Sequence, residues 1–328
     1  MTAHSITYRV EEHWAQVPAD RAWLEVPGVA VDSRDRVFVF ARQPHAVMIF
    51  DRHGKFEGTW GEGVFALPHG LFIGPDDSVY CTDDGDHTVR KFTPDGRLLF
   101  TLGTVGQSSD TGATSMDYRT IRRAAGPFHY PTNAALAADG SIYVTDGYGN
   151  ARVHVFSPEG NLLRSWGEPG SGAGQFHLPH GIAVDAEGRV YIADRENCRI
   201  QIFTGEGEYL ESWNDIARPS QVFIDGSGRV YIAELGYRAA RWPNMTGPGP
   251  EATGGRVSVF NLRGELLSRW GGGDTPCAPG DFFAPHDICV DSRGDIYVAE
   301  VTASAGVSRG LVPAGCHTLQ KFVRASRG

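Results

Sequence analysis

The stretch PHGIAVDAEGRVYIAD, residues 179–194, decides the fold because it recurs along the chain. It begins with a short apolar run, turns through acidic residues and glycine, and ends in a second apolar run, a pattern that predicts two antiparallel strands. Five more copies keep this order: PGVAVDSRDRVFVF at 27–40, PHGLFIGPDDSVYCTD at 68–83, PTNAALAADGSIYVTD at 131–146, PSQVFIDGSGRVYIAE at 219–234 and PHDICVDSRGDIYVAE at 285–300. Copies that begin roughly 40 to 65 residues apart are typical of the blades of a propeller.

Each copy is followed by further strand-like runs. After the copy at 179–194 come RIQIF at 199–203 and YLESW at 209–213, again bounded by turn residues. Four strands in each of six copies predict an all-β, six-bladed β-propeller that occupies a single domain over residues 1–328. The sixth copy ends soon after its third strand, so we expect residues near 5–14 to supply the outer strand of the last blade. That strand would close the ring and remove exposed sheet edges.

The composition supports a turn-rich β-protein and narrows its partners. The 42 glycines and 19 prolines suit many tight turns. A net charge of −9 without clustered lysine and arginine argues against nucleic acid and anionic membranes as partners. The chain also lacks an apolar run long enough to span a bilayer. We therefore expect neither nucleic acid nor a membrane among its partners.

The cysteines bear on the compartment. They are Cys81, Cys198, Cys277, Cys289 and Cys316. Their odd number and the lack of a C-x-x-C pair predict free thiols. The chain does not begin with a positively charged start and an apolar stretch, as a secretory signal would. Together these features predict a cytoplasmic protein.

Three histidines stand at one position of the repeat. His69, His180 and His286 are the second residues of copies two, four and six, at the start of the strand that we expect to lie innermost. Alternate blades of a six-bladed ring are about 120° apart, so three imidazoles would converge on one point. A single P-H turn would be an ordinary connection into a strand. Three of them in alternate copies favour a metal site with an open coordination position, as in catalytic zinc sites.

The loops after the second strand carry the other candidates, and they lie on the same face as the histidines. Arg42 and Arg195 occupy one blade position, and Tyr148 falls one residue later in its own copy. Each has an ordinary interpretation as a surface ion pair or a packed loop aromatic. Together they suit a small-molecule substrate with a carboxylate, which arginine holds through two parallel hydrogen bonds. A nearby metal and cations would also favour the phenolate form of Tyr148.

The segments LPHG, VTDGYGNARV, IADRENCRIQIF and APHDI resemble those of the peptidyl-α-hydroxyglycine α-amidating lyases, which are six-bladed propellers of the NHL-repeat type. The resemblance extends over about residues 26–323. It implies zinc held by the three histidines, Tyr148 as catalytic base, and Arg42 and Arg195 as substrate-binding and charge-stabilising residues. The implied reaction cleaves the C–N bond of an N-acyl-α-hydroxyglycine into a primary amide and glyoxylate.

The same resemblance implies a structural calcium ion in the central channel. The carboxylate of Asp287 and the backbone carbonyls of Val29 and Leu71 would match the calcium ligands of the family.

The chain departs from the family pattern in three places. The family has cysteines where this chain has His129 and Gly149, and its P-T-D segment is P-T-N here, with Asn133. Three segments expected on the active face are also long: 103–130, 235–256 and 301–316. Long loops at a site are usually functional, and here they could roof the pocket and favour a small substrate over a peptide.

Two other functions remain open. A propeller hydrolase such as a calcium-dependent lactonase usually presents Glu, Asn and Asp to its metal rather than three histidines. A non-enzymatic NHL scaffold that binds protein or RNA gives no reason for histidines in alternate copies.

Overall fold

A computed structural model describes residues 7–42, 46–240 and 253–324, whose strands form six four-stranded sheets. The predicted six-bladed β-propeller is therefore confirmed. The chain divides into two compact units, Gly61–Pro219 and Met1–Trp60 with Ser220–Gly328. The first of these contains blades two to four, and the other contains blades one, five and six. The expectation of a single domain stays a prediction.

The strands follow the copies of the repeat. In chain order, β1 (Tyr8–Glu11) precedes blade one, which consists of β2 (Glu25–Val31), β3 (Val37–Arg42), β4 (Val47–Phe50) and β5 (Phe56–Trp60). Blade two consists of β6 (Pro68–Ile73), β7 (Val79–Asp83), β8 (Thr88–Phe92) and β9 (Leu98–Leu102). Blade three consists of β10 (Pro131–Leu136), β11 (Ile142–Asp146), β12 (Arg152–Phe156) and β13 (Leu162–Trp166). Blade four consists of β14 (Pro179–Val184), β15 (Val190–Asp194), β16 (Arg199–Phe203) and β17 (Tyr209–Trp213).

The last two blades complete the set. Blade five consists of β18 (Pro219–Ile224), β19 (Arg229–Glu234), β20 (Arg256–Asn261) and β21 (Leu266–Gly271). Blade six consists of β22 (Pro285–Val290), β23 (Ile296–Glu300), β24 (Leu319–Arg324) and the early strand β1. A short helix, α1 (Thr302–Ala305), follows β23, and single 3-10 turns occur at Tyr118–Thr120, Arg195–Asn197 and Val307–Arg309.

The N-terminal strand completes the sixth blade, as predicted. β1 pairs antiparallel with β24, with Tyr8 opposite Arg324 and Glu11 opposite Lys321. The ammonium of Lys321 lies 3.2 Å from a carboxylate oxygen of Glu11. Without this pairing β24 would expose an open sheet edge, which is a site for unwanted association.

Burial differs between the inner and outer strands for a simple reason. Every residue of β7, β11 and β15 is buried, because these strands are covered on both faces. The outer strands β9, β13 and β17 instead begin with exposed residues, Leu98, Leu162 and Tyr209. The continuous V-Y-V runs of the sequence therefore mark the second strand of each blade.

In blades two to six the second strand ends in an acid that organises its blade. Five such acids are fully buried: Asp83, Asp146, Asp194, Glu234 and Glu300. In blade two the acid accepts hydrogen bonds from the backbone N–H groups of Ala66 and Leu67, just before β6, at 2.7 and 2.9 Å. In blade four it accepts one from His177 at 2.9 Å and forms an ion pair with Arg199 at 2.8 Å. In blades two, three, four and six the acid thus ties the segment that leads into the blade to the blade itself.

The prediction of five free thiols was wrong for two cysteines. Cys277 and Cys316 form a disulfide between the segments that precede β22 and β24. They are 39 residues apart in the chain, and only the fold brings their Cα atoms to 4.9 Å. Cys81, Cys198 and Cys289 lie outside this disulfide and are buried, as expected for small apolar side chains. The thiol argument for a cytoplasmic location is thereby removed.

Two further expectations concern the surface. None of the helices in the described ranges combines the length and apolar character needed to cross a bilayer. Of the three long segments, 103–130 and 301–316 are described in full, whereas 241–252 of the segment 235–256 lies outside the described residues.

Candidate active site

A local irregularity of the backbone positions the histidines. The opening proline of β14 pairs with Asp194, and the next paired residue is Gly181, so His180 stands in a β-bulge. In β22 the register shifts in the same way between Pro285 and Asp287, around His286. A bulge aims a side chain away from the regular sheet direction. Proline begins these strands at little cost because a first residue needs no N–H in the ladder.

Two of the three rings are fixed by backbone carbonyls. The Nδ1 atom of His69 lies 2.7 Å from the carbonyl oxygen of Thr132, and that of His286 lies 2.7 Å from the carbonyl oxygen of Pro27. A carbonyl only accepts, so Nδ1 carries the hydrogen and donates it. The neutral ring then presents the lone pair of Nε2, which is the arrangement usual for a metal ligand.

The three buried histidines form a cluster that could hold a metal ion. One ring nitrogen from each of His69, His180 and His286 lies within 4.8 Å of the others. The rings of His69 and His180 meet edge to face, with centroids 4.8 Å apart. Three neutral imidazoles suit zinc and related divalent transition metals, so the donor set fits the predicted metal without identifying it.

Tyr148 lies against this cluster. Its hydroxyl oxygen is 3.3 Å from Nε2 of His69, 3.2 Å from Nε2 of His180 and 3.1 Å from Nη1 of Arg195. The guanidinium carbon of Arg195 also lies 5.2 Å from the centre of the phenol ring. Two imidazole nitrogens and a cation therefore surround a single phenol oxygen, and a catalytic role for Tyr148 stays a prediction.

Glycines on both sides of Tyr148 allow this placement. A Cβ atom on Gly147 would come within 2.1 Å of the carbonyl oxygen of Pro179. A Cβ on Gly149 would come within 2.4 Å of the imidazole of His129. The resemblance implies cysteines at these two positions, where this chain has His129 and Gly149, and here the imidazole packs directly against the glycine.

Arg195 belongs to a buried ionic network. Its Nε donates to Glu196 at 2.8 Å, and Arg218 donates to the same carboxylate through Nε at 3.0 Å and Nη2 at 2.9 Å. Burial alone would raise the pKa of Glu196, but the charges of Arg218 and Arg195 outweigh it and hold that pKa below its usual value. Burial would lower the pKa of Arg195, yet Tyr148 and Glu196 raise it. Arg195 stays charged.

Arg42 has a carboxylate partner of its own. Its Nη1 lies 2.7 Å from Glu25, the residue directly opposite it in β2. Glu25 also accepts hydrogen bonds from the backbone N–H and the hydroxyl of Ser304 in α1, at 2.8 and 3.0 Å. A role for Arg42 toward substrate stays a prediction.

The residues predicted for calcium are placed as follows. Asp287 is buried, and its Oδ2 accepts a hydrogen bond from the N–H of Val29 at 2.9 Å. Burial raises the pKa of Asp287 to about 7, although hydrogen bonds from Val29, Ile288 and Gln221 oppose the shift. A cation beside this carboxylate would favour its ionised form. Leu71 is buried in β6, opposite Cys81.

Three further residues at the site were missed in the sequence. Asp84 is buried, and its Oδ2 lies 4.0 Å from Nε2 of His69. It follows the acid of β7 just as Arg195 follows the acid of β15, so aligning these positions would have found it. Glu196 and Arg218 are the others. A charged residue at 218, where the equivalent residue of blade four is Leu178, was the signal for Arg218.

The sequence matches known proteins over most of its length. The NHL repeat matches residues 128–156 and 176–203. Peptidyl-alpha-hydroxyglycine alpha-amidating lyase 1 of Drosophila melanogaster is 30% identical over 76% of this chain and 45% of that protein, so the chain spans less than half of it. NHL repeat-containing protein 3 of Homo sapiens is 31% identical over 91% of this chain and 82% of that protein. The chain belongs to the family of NHL-repeat β-propeller proteins.

The predicted resemblance to the amidating lyases is confirmed by relatives of that name, whose names suggest a lyase. Solved structures add the fold alone. A streptogramin B lyase structure has a TM-score of 0.60 at 14% identity and covers 97% of this chain and 98% of its own. A structure carrying the name gluconolactonase has a TM-score of 0.58, also at 14% identity, and covers 97% of this chain and 98% of its own.

Proposed function

We propose that this protein is a zinc-dependent lyase that cleaves the C–N bond of an N-acyl-α-hydroxyglycine, or of a related hemiaminal that bears a carboxylate. The products are an amide and glyoxylate or a similar aldehyde acid. The observation that carries the proposal is the phenol oxygen of Tyr148, which lies 3.1 to 3.3 Å from Arg195 and from Nε2 of His69 and His180.

The residues divide the chemistry among them. His69, His180 and His286 would hold the metal, which when bound supplies Lewis acidity that lowers the pKa of the substrate hydroxyl. Tyr148, as phenolate, takes the hydroxyl proton at its oxygen. The oxygen then forms the aldehyde C=O while the C–N bond breaks and its electron pair leaves with the amide nitrogen. Tyr148 returns its proton to that nitrogen, so the step is balanced without a redox partner.

Arginine fixes the geometry of the substrate. Arg195 would hold its carboxylate, and Arg42 stays a second candidate for this role. Holding the carboxylate keeps the hydroxyl of the substrate beside Tyr148, which is worth more than binding alone because the reacting groups are already aligned. The partner in this proposal is a small molecule with a carboxylate, and neither nucleic acid nor a membrane takes part.

Calcium has a separate, structural place in the proposal. The buried carboxylate of Asp287, with a pKa raised to about 7, suits a hard cation, and the carbonyl oxygens of Val29 and Leu71 would complete its protein ligands. The N–H of Val29 already donates to Asp287, so this residue would contact both the carboxylate and the ion.

Two alternatives stand beside this proposal. The first is a non-enzymatic NHL scaffold that binds protein or RNA, since NHL repeat-containing protein 3, which matches over 82% of its length, is named for its repeats alone. A calcium-dependent propeller hydrolase is the other alternative, for which Asp287 is the candidate ligand.

Metal analysis and one activity assay distinguish the lyase from the hydrolase and from the scaffold. Protein purified without a histidine tag is analysed for zinc and calcium, and is then given N-benzoyl-α-hydroxyglycine while benzamide and glyoxylate are measured. We expect about one zinc per chain and both products. The variant His180→Ala loses zinc and activity, whereas the control His53→Ala, at an exposed histidine in the turn between β4 and β5, keeps both. Calcium alone without cleavage would favour the hydrolase, and no metal with no cleavage would favour the scaffold.

A further inference from the structure

Arg218 is an unusual residue for its position. It directly precedes the opening proline of β18, and the same position holds Tyr130 in blade three and Leu178 in blade four. All three have a left-handed backbone, with φ of +59° at Tyr130, +66° at Leu178 and +54° at Arg218. Arg218 is charged and only 1% exposed. Removing a guanidinium from water is costly, and an apolar residue at a buried ionic position is often neutral or stabilising. Stability alone does not explain this arginine.

The partner of Arg218 shows what it does. Two nitrogens of Arg218 contact the two oxygens of Glu196, at 3.0 and 2.9 Å, which fixes the plane of that carboxylate. Glu196 in turn accepts from Nε of Arg195 at 2.8 Å. With its Nε edge taken, the planar guanidinium of Arg195 can turn little, and its Nη1 lies 3.1 Å from the oxygen of Tyr148.

The long segment 103–130 lies against the same network. Tyr118 in this segment packs on the imidazole of His177, with ring centroids 5.1 Å apart. Burial and the negative charge of Glu196 raise the pKa of Tyr118. The segment therefore contacts His177, whose carbonyl oxygen accepts a hydrogen bond from the N–H of Glu196 at 3.0 Å.

We propose that Glu196 and Arg218 are positioning residues that hold Arg195 in the orientation needed to receive the carboxylate of the substrate. This inference rests on the proposed function, because it assigns Arg195 to the carboxylate. Glu196 sets the direction of the Arg195 guanidinium. Arg218 holds the carboxylate of Glu196 in place, so that Glu196 does not shift together with Arg195. A displaced guanidinium would bind the carboxylate of the substrate more weakly, because two parallel hydrogen bonds to a carboxylate depend on the orientation of the guanidinium plane.

The test compares two variants with a matched control. Arg218→Leu introduces the residue that blade four has at this position, and Glu196→Gln keeps the shape of the side chain without its charge. The control is Arg189→Met, which removes a more exposed ion pair, with Asp185 at 2.7 Å, from blade four. For N-benzoyl-α-hydroxyglycine we expect KM to rise about tenfold in both variants while kcat changes less than about threefold. A second substrate is the same compound with its carboxylate converted to an amide. For this substrate we expect kcat/KM of both variants to equal the low value of wild type.

Binding of glyoxylate, measured by calorimetry, separates this inference from the proposed function. We expect wild type and Arg189→Met to bind it equally, and Arg218→Leu and Glu196→Gln to bind it about tenfold more weakly at unchanged zinc content. If wild type binds glyoxylate but cleaves no hydroxyglycine, the proposed function fails while this inference stands on the binding data. Equal binding in all four proteins, or absent binding in wild type, would overturn the inference. An equal loss for both substrates with a lowered Tm would also overturn it, since that is the result of a purely structural role.

Discussion

The ends of β7 and β15 occupy the same position in two blades of one unit, yet the residues that follow these strands differ. Both strands end in a fully buried aspartate, Asp83 and Asp194, which accepts backbone hydrogen bonds from the segment before the blade. The next residue is Asp84 in one blade and Arg195 in the other. The last residue of the strand is thus an aspartate in both blades, because the sheet requires its hydrogen bonds. The residue after it has opposite charge in the two blades.

The difference follows from where the ladder stops. Asp83 and Asp194 still pair with residues on both neighbouring strands. Asp84 and Arg195 have left the sheet, so their side chains can change without disturbing strand pairing. In blade three this position is Gly147, which makes room for Tyr148. One position of the repeat supports the blade, and the next can carry residues of the proposed site.

We use the name framework acid for the buried acid that ends the second strand of a blade. The largest effect on the free energy of unfolding is expected where this acid is removed. Asp83→Ala leaves the N–H groups of Ala66 and Leu67 without their acceptor and removes one of the two carboxylates that pair with the buried guanidinium of Arg90. We expect it to lower the free energy of unfolding by about 3 kcal/mol. Asp84→Ala, one residue later, should cost less than about 1 kcal/mol. Urea unfolding of both variants measures this, and equal losses would erase the distinction between the two positions.

The next largest effect concerns Tyr148, which follows Gly147 at the end of β11 in blade three. Tyr148→Phe removes only the hydroxyl that takes the proton, so kcat should fall by about 10² or more while substrate binding persists. Tyr143→Phe is the control, because the hydroxyl of Tyr143 in β11 donates instead to the carbonyl of Gly205, between β16 and β17 of blade four, at 3.1 Å. Turnover near that of wild type in Tyr148→Phe would show that another group takes the proton.

A smaller effect separates two arginines of blade four. Arg195→Lys should raise KM about tenfold, because an ammonium cannot replace the planar guanidinium toward a carboxylate. Arg199→Lys changes the arginine that pairs with the framework acid Asp194, so it should lower stability and leave KM unchanged. Steady-state kinetics and urea unfolding of both variants decide the matter. A raised KM in Arg199→Lys alone would reverse the assignment.

The smallest effect is a dependence on pH in blade six. There the framework acid Glu300 is paired with His317, at 2.7 Å, rather than with arginine. Burial would lower the pKa of His317, but Glu300 raises it above the usual value. A raised histidine pKa stabilises the fold fully below the unfolded pKa of about 6.5 and loses this contribution as pH rises through the folded pKa. Wild type should lose stability above about pH 6.5, and His317→Gln should lose less. Parallel curves from urea unfolding at several pH values would contradict this.

The sequence predicted the features that depend on local pattern. Five of the six blades begin at the predicted proline, because proline and the following alternation are set by neighbouring residues. Blade one begins at Glu25, two residues before Pro27, because its register shift lies inside the strand. The histidine cluster followed from repetition of one position, and Tyr148 became a candidate when the ends of the second strands were aligned.

Features that join distant residues were beyond such reasoning. Glu196 and Arg218 are 22 residues apart, and no spacing rule connects an acid in one loop with an arginine before the next blade. The pairing of Cys277 with Cys316 depends on where two irregular segments meet. Both contacts are set by the way the backbone folds in three dimensions rather than by a period along the chain.

In blades three, four and six, the bulge after the opening proline forms a socket at the second position of the innermost strand. The backbone sets the shape of this socket, so it accepts different side chains. In blade three it holds Thr132, whose hydroxyl donates to the carbonyl of Pro179 at 3.0 Å, and in blade five Ser220 donates to Pro285 at 2.7 Å. Blades with a hydroxyl in the socket are tied to the next blade, and blades with an imidazole are equipped for a metal. A protein of this design can gain or lose a metal ligand by point substitution while its sheets persist, which gives evolution a way to turn a binding scaffold into an enzyme and back.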